Sequence, residues 1–256
     1  MISELLRRKP NLLPFITLII LLAAWELGSY CGIVSKIFFP PPSKIWDGFL
    51  KLTLNGDLFR AMTTTLFRFL AGLMSGACLG AALGLAMGWN TRLNAFFSPY
   101  IAALYPIPKI AVFPLLMVVF GIGEGSKFIA IFLGAFFPML INTISGVKQI
   151  NRIYFDVGKN YGVTGGKVFS HILIPGSMPS IMAGLRLAAN VSFIVTISVE
   201  IVSAKNGLGV LLWFTWQTFR VNELYAVLVM IAITGIALGH IIDQMTMRFM
   251  PWLPQK

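Results

Sequence analysis

The chain has 256 residues, of which 57% are hydrophobic and 11% charged, and its mean hydropathy is +0.82. Its 20 Lys and Arg and 9 Asp and Glu are too few to cover a water-soluble core of this size, which predicts a lipid-embedded protein. The net charge is +11, but the basic residues stand singly between apolar stretches, and this argues against a nucleic-acid partner. We therefore expect an all-α, polytopic membrane protein surrounded by the lipid bilayer.

Six apolar windows are long enough to cross a bilayer as helices, which takes about 20 residues each. They run approximately from Leu12 to Tyr30, Leu66 to Trp89, Phe96 to Phe120, Phe128 to Val147, Leu187 to Ala204 and Leu224 to Ile242. Arg7, Arg8 and Lys9 precede the first window, but the bulky Trp25 and Glu26 stand where a signal-peptide cleavage site would follow. We interpret that window as an uncleaved span within a single transmembrane domain, residues 1–256.

The distribution of Lys and Arg orients the predicted spans. With the amino terminus inside, the inner segments carry eleven basic residues and the outer segments seven. Because basic residues favour the cytoplasmic side, this predicts a cytoplasmic amino terminus.

Two of the outer connections have recognisable composition. The first, residues 32–61, opens with Phe39-Pro40-Pro41-Pro42-Ser43, which predicts an extended, proline-stiffened segment. The second, residues 206–223, contains Trp213, Phe214, Trp216 and Phe219 and predicts a helix at the membrane interface.

Five glycines recur every four residues in the second window, at Gly72, Gly76, Gly80, Gly84 and Gly88. Such a stripe lets another helix approach closely. Because four residues advance the helix by about 400°, the stripe drifts by about 40° per glycine, and we expect one partner to contact only two or three. Close packing without any transport role is sufficient to explain the pattern, and transporters and channels alike would show it.

Prolines interrupt the third window at Pro99, Pro106, Pro108 and Pro114. Each removes a backbone donor, so carbonyl groups in this span must find protein or water. A helix broken in mid-membrane is a candidate lining of a translocation pathway, with Pro106 and Pro108 nearest the middle. A kink that only shapes the packing is the alternative.

Two ionisable residues lie inside predicted spans. Lys109 stands in the middle of the third span, where it is expected to face the bundle interior and to meet an anionic solute. Glu200, near the outer end of the fifth span, is a candidate partner of Lys109, or alternatively extends toward the outer surface. Both are included among the candidate pathway residues.

The inner segment, about residues 148–180, has the pattern of a helix-turn-helix. Apolar residues recur at helical spacing, at Ile150, Ile153, Tyr154, Val157 and Tyr161. Gly162 is suited to end this helix in a left-handed conformation, Thr164 to cap a second helix, and Pro175 to stop it. The pattern predicts either a surface for a soluble partner or a loop helix resting on lipid.

The inner segment resembles the signature of the permease subunits of ATP-binding-cassette importers, in particular the nitrate, sulfonate and taurine group. The signature is similar to Asp156-Val157-Gly158, then Gly162, then Ile172-Leu173-Ile174-Pro175, although Glu-Ala-Ala is usual at its opening and Leu before its Pro. Further similarity lies in the segments Phe39-Pro40-Pro41-Pro42-Ser43, Tyr105-Pro106-Ile107-Pro108-Lys109, Phe120-Gly121-Ile122-Gly123-Glu124 and Gly207-Leu208-Gly209. The match covers nearly the whole chain.

The resemblance implies a type I importer permease with six transmembrane helices in a bacterial inner membrane. It implies three protein partners: a cytosolic ATP-binding subunit, an extracytoplasmic solute-binding protein and a second permease copy in a homodimer. The residues expected to contact the ATP-binding subunit are Tyr154, Asp156, Val157, Gly158, Tyr161, Gly162, Ile172 and Pro175.

The chain itself is not expected to be an enzyme. No segment has the phosphate-binding pattern G-x-x-x-x-G-K-[ST], so ATP and magnesium belong to the partner subunit and no cofactor is expected here. His171, His240, Cys31 and Cys78 stand apart from one another, so no metal site is expected.

Two other classes of protein are compatible with the composition. A self-sufficient channel or ion-coupled carrier would be expected to show inverted repeats and paired intramembrane charges, and a membrane enzyme would need clustered His, Asp or Glu. Neither pattern stands out in this chain. The net positive charge and Lys109 favour an anionic solute such as nitrate, a sulfonate, taurine or bicarbonate.

Overall fold

The computed structural model describes residues 13–32 and 35–250, and these residues form helices with no strand. In chain order the helices are α1 Leu13–Tyr30, α2 Pro42–Leu54, α3 Asp57–Trp89, α4 Thr91–Leu104, α5 Lys109–Phe120, α6 Glu124–Lys148, α7 Arg152–Asn160, α8 Gly166–Val168, α9 Ile174–Ser203, α10 Leu208–Gln217 and α11 Val221–Phe249. A π-helical turn, Phe169–Leu173, joins α8 to α9. The all-α fold is confirmed.

Four helices are long and apolar enough to cross a membrane: α3, α6, α11, and α9 together with the turn before it. The pair α4 and α5 forms a fifth candidate span, which bends by 98° at its break. The apolar helix α1 is shorter, and Leu12, Arg7, Arg8 and Lys9 lie outside the described residues. The count of six spans therefore stays a prediction.

The predicted outer connection, residues 32–61, contains one complete helix and the start of another. The proline-rich segment is extended only as far as Pro41, because α2 begins at Pro42, where a proline needs no backbone donor. The carboxylate of Glu26 accepts hydrogen bonds from the Ser43 backbone N–H (3.1 Å) and hydroxyl (2.7 Å) near the start of α2. Helix α3 then begins at Asp57 rather than Leu66, so much of the predicted loop is helical.

The predicted helix-turn-helix continues directly into the membrane. Pro175 was expected to stop its second helix, and that prediction was wrong: Gly166–Ser203 forms one continuous helical rod. The π-helical turn changes the hydrogen-bond register, so that Pro175 falls in the first turn of α9, where its missing donor does little harm. The predicted cap at Thr164 was also wrong, since Gly165 (φ +57°) occupies the cap position.

The glycine stripe of α3 packs along α6. A Cβ atom on Gly72 would meet Ile131, one on Gly80 would meet the Phe136 carbonyl, and one on Gly88 would meet Val147. Gly76 and Gly84 meet the same helix, so the expectation that one partner would contact only two or three glycines was wrong. The two helices run parallel, and the contact persists for about 24 Å because α6 follows the drift of the stripe.

The long helices define two ends of the bundle. We call the end that holds residues 149–173 the loop end; α3 and α6 finish there and α9 begins there. We call the opposite end the junction end, because α6 begins and α9 finishes there and the α9–α10 connection crosses it. The main core lies between α3, α6 and α9 and includes Phe69, Ala135, Ala188 and Phe193.

Candidate functional site

A buried arginine holds the junction end together. The Arg68 side chain is 10% exposed, and its Nη1 donates to Oε1 of the fully buried Glu200 at 2.8 Å. Its Nε and Nη2 donate to the two carboxylate oxygens of Glu124 at 2.7 and 2.8 Å. Nη1 also donates to the Asn206 carbonyl. One guanidinium thus joins α3, α6, α9 and the connection after α9, a task for which its planar fork of donors is well suited.

Both carboxylate oxygens of the buried Glu200 accept hydrogen bonds from neighbouring groups. The Thr65 hydroxyl lies 2.9 and 3.0 Å from its two oxygens, and the Gly209 backbone N–H donates to Oε2 at 3.0 Å. A Cβ atom on Gly207, whose φ is +133°, would overlap the carboxylate. Glycine is therefore required where the connection passes over Glu200.

Two segments that lie far apart in the sequence meet at this junction. Phe120–Glu124 supplies Glu124, and Gly207-Leu208-Gly209 supplies the backbone that covers Glu200. Sequence reasoning missed the role of Arg68; the available signal was an Arg at the edge of an otherwise apolar window, Leu66 to Trp89. The suggested pairing of Glu200 with Lys109 was wrong, and Glu200 does not extend toward the surface, because Arg68, Thr65 and Gly209 enclose it.

Lys109 closes the break between α4 and α5. Its Nζ donates to the carbonyls of Leu104 (3.0 Å), Tyr105 (3.0 Å) and Ile107 (2.9 Å). The ammonium also lies 4.6 Å from the centroid of the Phe137 ring. These carbonyls stand at the carboxyl end of α4, where a cation is favourable. Pro106 and Pro108 lie exposed in the same break, and the pathway role of all three residues stays a prediction.

Replacing Lys109 by Met is expected to destabilise the bend. The substitution keeps the length of the side chain but leaves three carbonyls without their donor, which costs about 1–3 kcal/mol. We expect the thermal-unfolding midpoint of the detergent-solubilised chain to fall by about 5 °C. Lys205→Met, at an exposed loop position, is the matched control. Equal midpoints for the two variants would show that the ammonium does not stabilise the break.

At the loop end, one side of α7 is anchored and the other is uncovered. Phe155 of α7 contacts Trp89 at the end of α3, with ring centroids 5.7 Å apart, and Trp89 also contacts Phe169 at 6.1 Å. The opposite side carries exposed apolar side chains, with Tyr154 63% and Tyr161 84% exposed. Gly162 follows with φ +74°, which confirms the predicted left-handed turn.

A cleft of about 610 Å³ lies beside the exposed side of α7. Six of the residues predicted to contact an ATP-binding subunit line it, namely Tyr154, Val157, Gly158, Tyr161, Ile172 and Pro175. Asp156 and Gly162 are absent from its lining; Asp156 is exposed and Gly162 forms the turn after the helix. Gly158 is buried, and a Cβ atom there would lie 2.7 Å from Cδ1 of Ile172. The small residue lets α7 pack onto the π-helical turn.

A second hollow, of about 320 Å³, opens at the junction end. Arg60, Lys205 and Arg220 line it, together with Asp57. Arg220 is paired with Glu223, whereas Arg60 and Lys205 are exposed and have no ion pair with any residue in the described ranges. The hollow therefore carries an excess of positive charge.

Comparison with known proteins identifies relatives along almost the entire chain. The sequence model of the "binding-protein-dependent transport system inner membrane component" family matches residues 76–253. A permease protein assigned to aliphatic sulfonates transport in Escherichia coli (strain K12) is 34% identical over 234 residues, 90% of this chain and 86% of the relative. The taurine transport system permease protein of the same strain is 27% identical over 241 residues, 92% and 88% of the two chains. The bicarbonate transport system permease protein of Synechocystis sp. (strain PCC 6803) is 29% identical over 246 residues, 91% and 87%.

The match covers four of the long helices in whole or in part, the cleft beside α7 and the connection over Glu200. The relatives are membrane-embedded permeases, which are transport components rather than enzymes. Permeases of this family work with separate ATP-binding and solute-binding proteins. The chain therefore belongs to the family of binding-protein-dependent transport system inner membrane components, as the multi-pass permease subunit of an ATP-driven importer.

Proposed function

We propose that the exposed side of α7, with the cleft beside it, is the surface on which the ATP-binding subunit docks. The observation that carries this proposal is the uncovered apolar side of a helix whose other side is fixed to α3. Aromatic side chains that stand exposed around a cleft suit the burial of a partner's surface. Because α8, the π-helical turn and α9 form one rod, a push on this surface would be transmitted along α9.

The docking proposal also orients the chain. An ATP-binding subunit works in the cytosol, so the loop end would face the cytoplasm and the junction end the outside. If α1 crosses the membrane once before α2 and α3, the amino terminus would also be cytoplasmic. The excess of Lys and Arg on the inner segments supports the same orientation.

We further propose that the imported solute is a small anion of the sulfonate type. Three relatives carry the names of sulfonate, taurine and bicarbonate transport. The basic hollow at the junction end supports an anion, because Arg60 and Lys205 would attract it at the outer mouth. Lys109 supports an anionic solute less than its mid-span position suggested, since its ammonium already donates hydrogen bonds to three carbonyls.

A second permease copy is proposed to complete the pathway. No residue of α4 is buried within the chain, and only Phe113 and Leu116 are buried in α5. A span with so few contacts suits an interface with another helix bundle, in which Pro106, Pro108 and the bend at Lys109 would face the second copy.

Removing two exposed tyrosines, Tyr154 of α7 and Tyr161 directly after it, is expected to release the ATP-binding subunit. Each large aromatic side chain at such an interface contributes about 1–3 kcal/mol, so the Tyr154→Ser, Tyr161→Ser double variant should reduce copurification at least tenfold. Lys159→Ser, an exposed position on the other side of α7, is the matched control and should copurify like wild type.

The tagged chain is purified from membranes in mild detergent, and the amount of ATP-binding subunit recovered with it is measured. Both tyrosines are exposed, so the variants should elute as folded protein. Full recovery of the subunit with the tyrosine double variant would contradict the proposed docking surface.

A further inference from the structure

One side of α9 is not covered by the rest of the chain. Pro179, Ala183, Arg186, Asn190 and Ile194 follow one another at helical spacing and are all exposed. The other side of the same helix is buried in the core against α3 and α6. Because one side of α9 is exposed and the other is buried, the exposed side contacts something outside this single chain.

Asn190 is the unusual member of that side. It lies near the middle of the 30-residue helix, and its carboxamide has no hydrogen-bond partner among the residues described. Ser192 and Thr196, on the buried side, donate to carbonyls of their own helix at 3.2 and 2.7 Å. Asn142 of α6 donates likewise to the Pro138 carbonyl at 2.8 Å. A free carboxamide at this depth is unfavourable against lipid, so it requires water or a polar ligand.

Asn190 also lies at one end of a groove in which polar side chains stand among apolar ones. The groove has a volume of about 350 Å³ and lies between α9 and α11, with Pro179 toward the loop end. Arg186 and Thr246 line it together with apolar side chains of α9 such as Met182 and Leu187. An ion pair between Arg186 and Asp243 bridges the two helices, and both side chains are about half exposed. Half-exposed charges on membrane helices lie beside water rather than beside acyl chains. Three polar side chains, Arg186, Asn190 and Thr246, thus lie along one groove that runs from mid-membrane toward the loop end.

We propose that the uncovered side of α9 is a wall of the solute path and that the N–H groups of Asn190 donate to the oxygen atoms of the passing anion. The anionic character of the solute rests on the proposed function, whereas the position of Asn190 on a hydrated path does not. The groove from Asn190 to Pro179 is then the inner half of the path.

The test measures whether water reaches position 190. Asn190→Cys is made in a chain whose exposed Cys31 and Cys78 are replaced by Ser, and is assembled with its ATP-binding and solute-binding subunits in membranes. The probe is a methanethiosulfonate reagent that carries a sulfonate group, applied during ATP turnover. Ile236→Cys is the control. Ile236 is 73% exposed near the middle of α11, and its apolar side chain is suited to lipid. We expect residue 190 to be modified at least tenfold faster than residue 236.

Equal, slow modification at both positions would overturn the proposal, because position 190 would then face lipid. A disulfide between two copies of Asn190→Cys with no modification by the reagent would overturn it too, since the second copy would cover this side. Copurified ATP-binding subunit is measured in the same membranes, so failure of the docking surface is distinguished from failure of this wall. Asn190→Ala, with wild-type copurification, should raise the KM for sulfonate uptake about tenfold.

Discussion

Replacing Arg68 by Met is expected to be among the most damaging single changes in the chain. It would leave the fully buried Glu200 carboxylate without its cation, and breaking a buried pair in this way costs about 3–5 kcal/mol. The thermal-unfolding midpoint in detergent should fall by about 10 °C. Arg60→Met, two turns earlier on α3 at an exposed position, should leave the midpoint nearly unchanged.

A double variant separates the charge from the packing at this junction. In the Arg68→Met background, Glu200→Gln removes the uncompensated charge while keeping one oxygen, in the place of Oε2, which accepts from both the Thr65 hydroxyl and the Gly209 N–H. The double variant should therefore be more stable than Arg68→Met alone. Such non-additive effects of two substitutions are expected of residues in contact. If Arg68→Met unfolds at the same temperature as Arg60→Met, the junction does not hold the bundle together.

The second large effect is expected at the glycine stripe. A Cβ atom on Gly80 would lie 2.7 Å from the Phe136 carbonyl oxygen and 3.0 Å from the Met139 Cβ. Backbone and Cβ atoms cannot rotate away, so α6 must move as a whole, and overpacking of this kind costs about 1–3 kcal/mol. Gly80→Ala should lower the unfolding midpoint and reduce the amount of folded chain recovered from membranes.

Gly239 provides an internal comparison, because an Ala substitution there is expected to change the stability in the opposite direction. It lies in α11, and no atom lies within 4 Å of the position that a Cβ atom would occupy there. Gly239→Ala therefore gains helix propensity of about 1 kcal/mol without a clash. Its midpoint should equal or exceed that of wild type. A Gly80→Ala variant as stable as Gly239→Ala would mean that α3 and α6 are not in close contact.

Composition and apolar windows were sufficient to predict the helical class and the membrane location, and helical periodicity was sufficient to predict α7 with its left-handed Gly162. Such sequence patterns were insufficient where side-chain packing or hydrogen-bond register determines the structure. Pro175 is compatible with a continuous helix because a π-helical turn precedes it, and no hydropathy window contains that information. The five glycines all meet one helix because the contact positions of α6 also recur every four residues, from Ile131 to Val147, which depends on both partners.

The charged residues were harder to interpret because their partners are distant in sequence. Glu200 and Arg68 lie 132 residues apart, and only the fold brings them within hydrogen-bond distance. Lys109 was expected to need an external anion, yet the carbonyls freed by the break beside Pro106 and Pro108 satisfy it locally. Asn190 was overlooked, since one amide in an apolar helix has no periodic pattern.

The most direct test of the importer assignment is uptake of a radiolabelled sulfonate by vesicles that contain the chain, its ATP-binding subunit and its solute-binding protein. We predict accumulation that requires ATP hydrolysis, and none with the chain alone or with the Tyr154→Ser, Tyr161→Ser variant. Equal uptake by the chain alone, without ATP, would contradict the account and identify a self-sufficient channel or carrier.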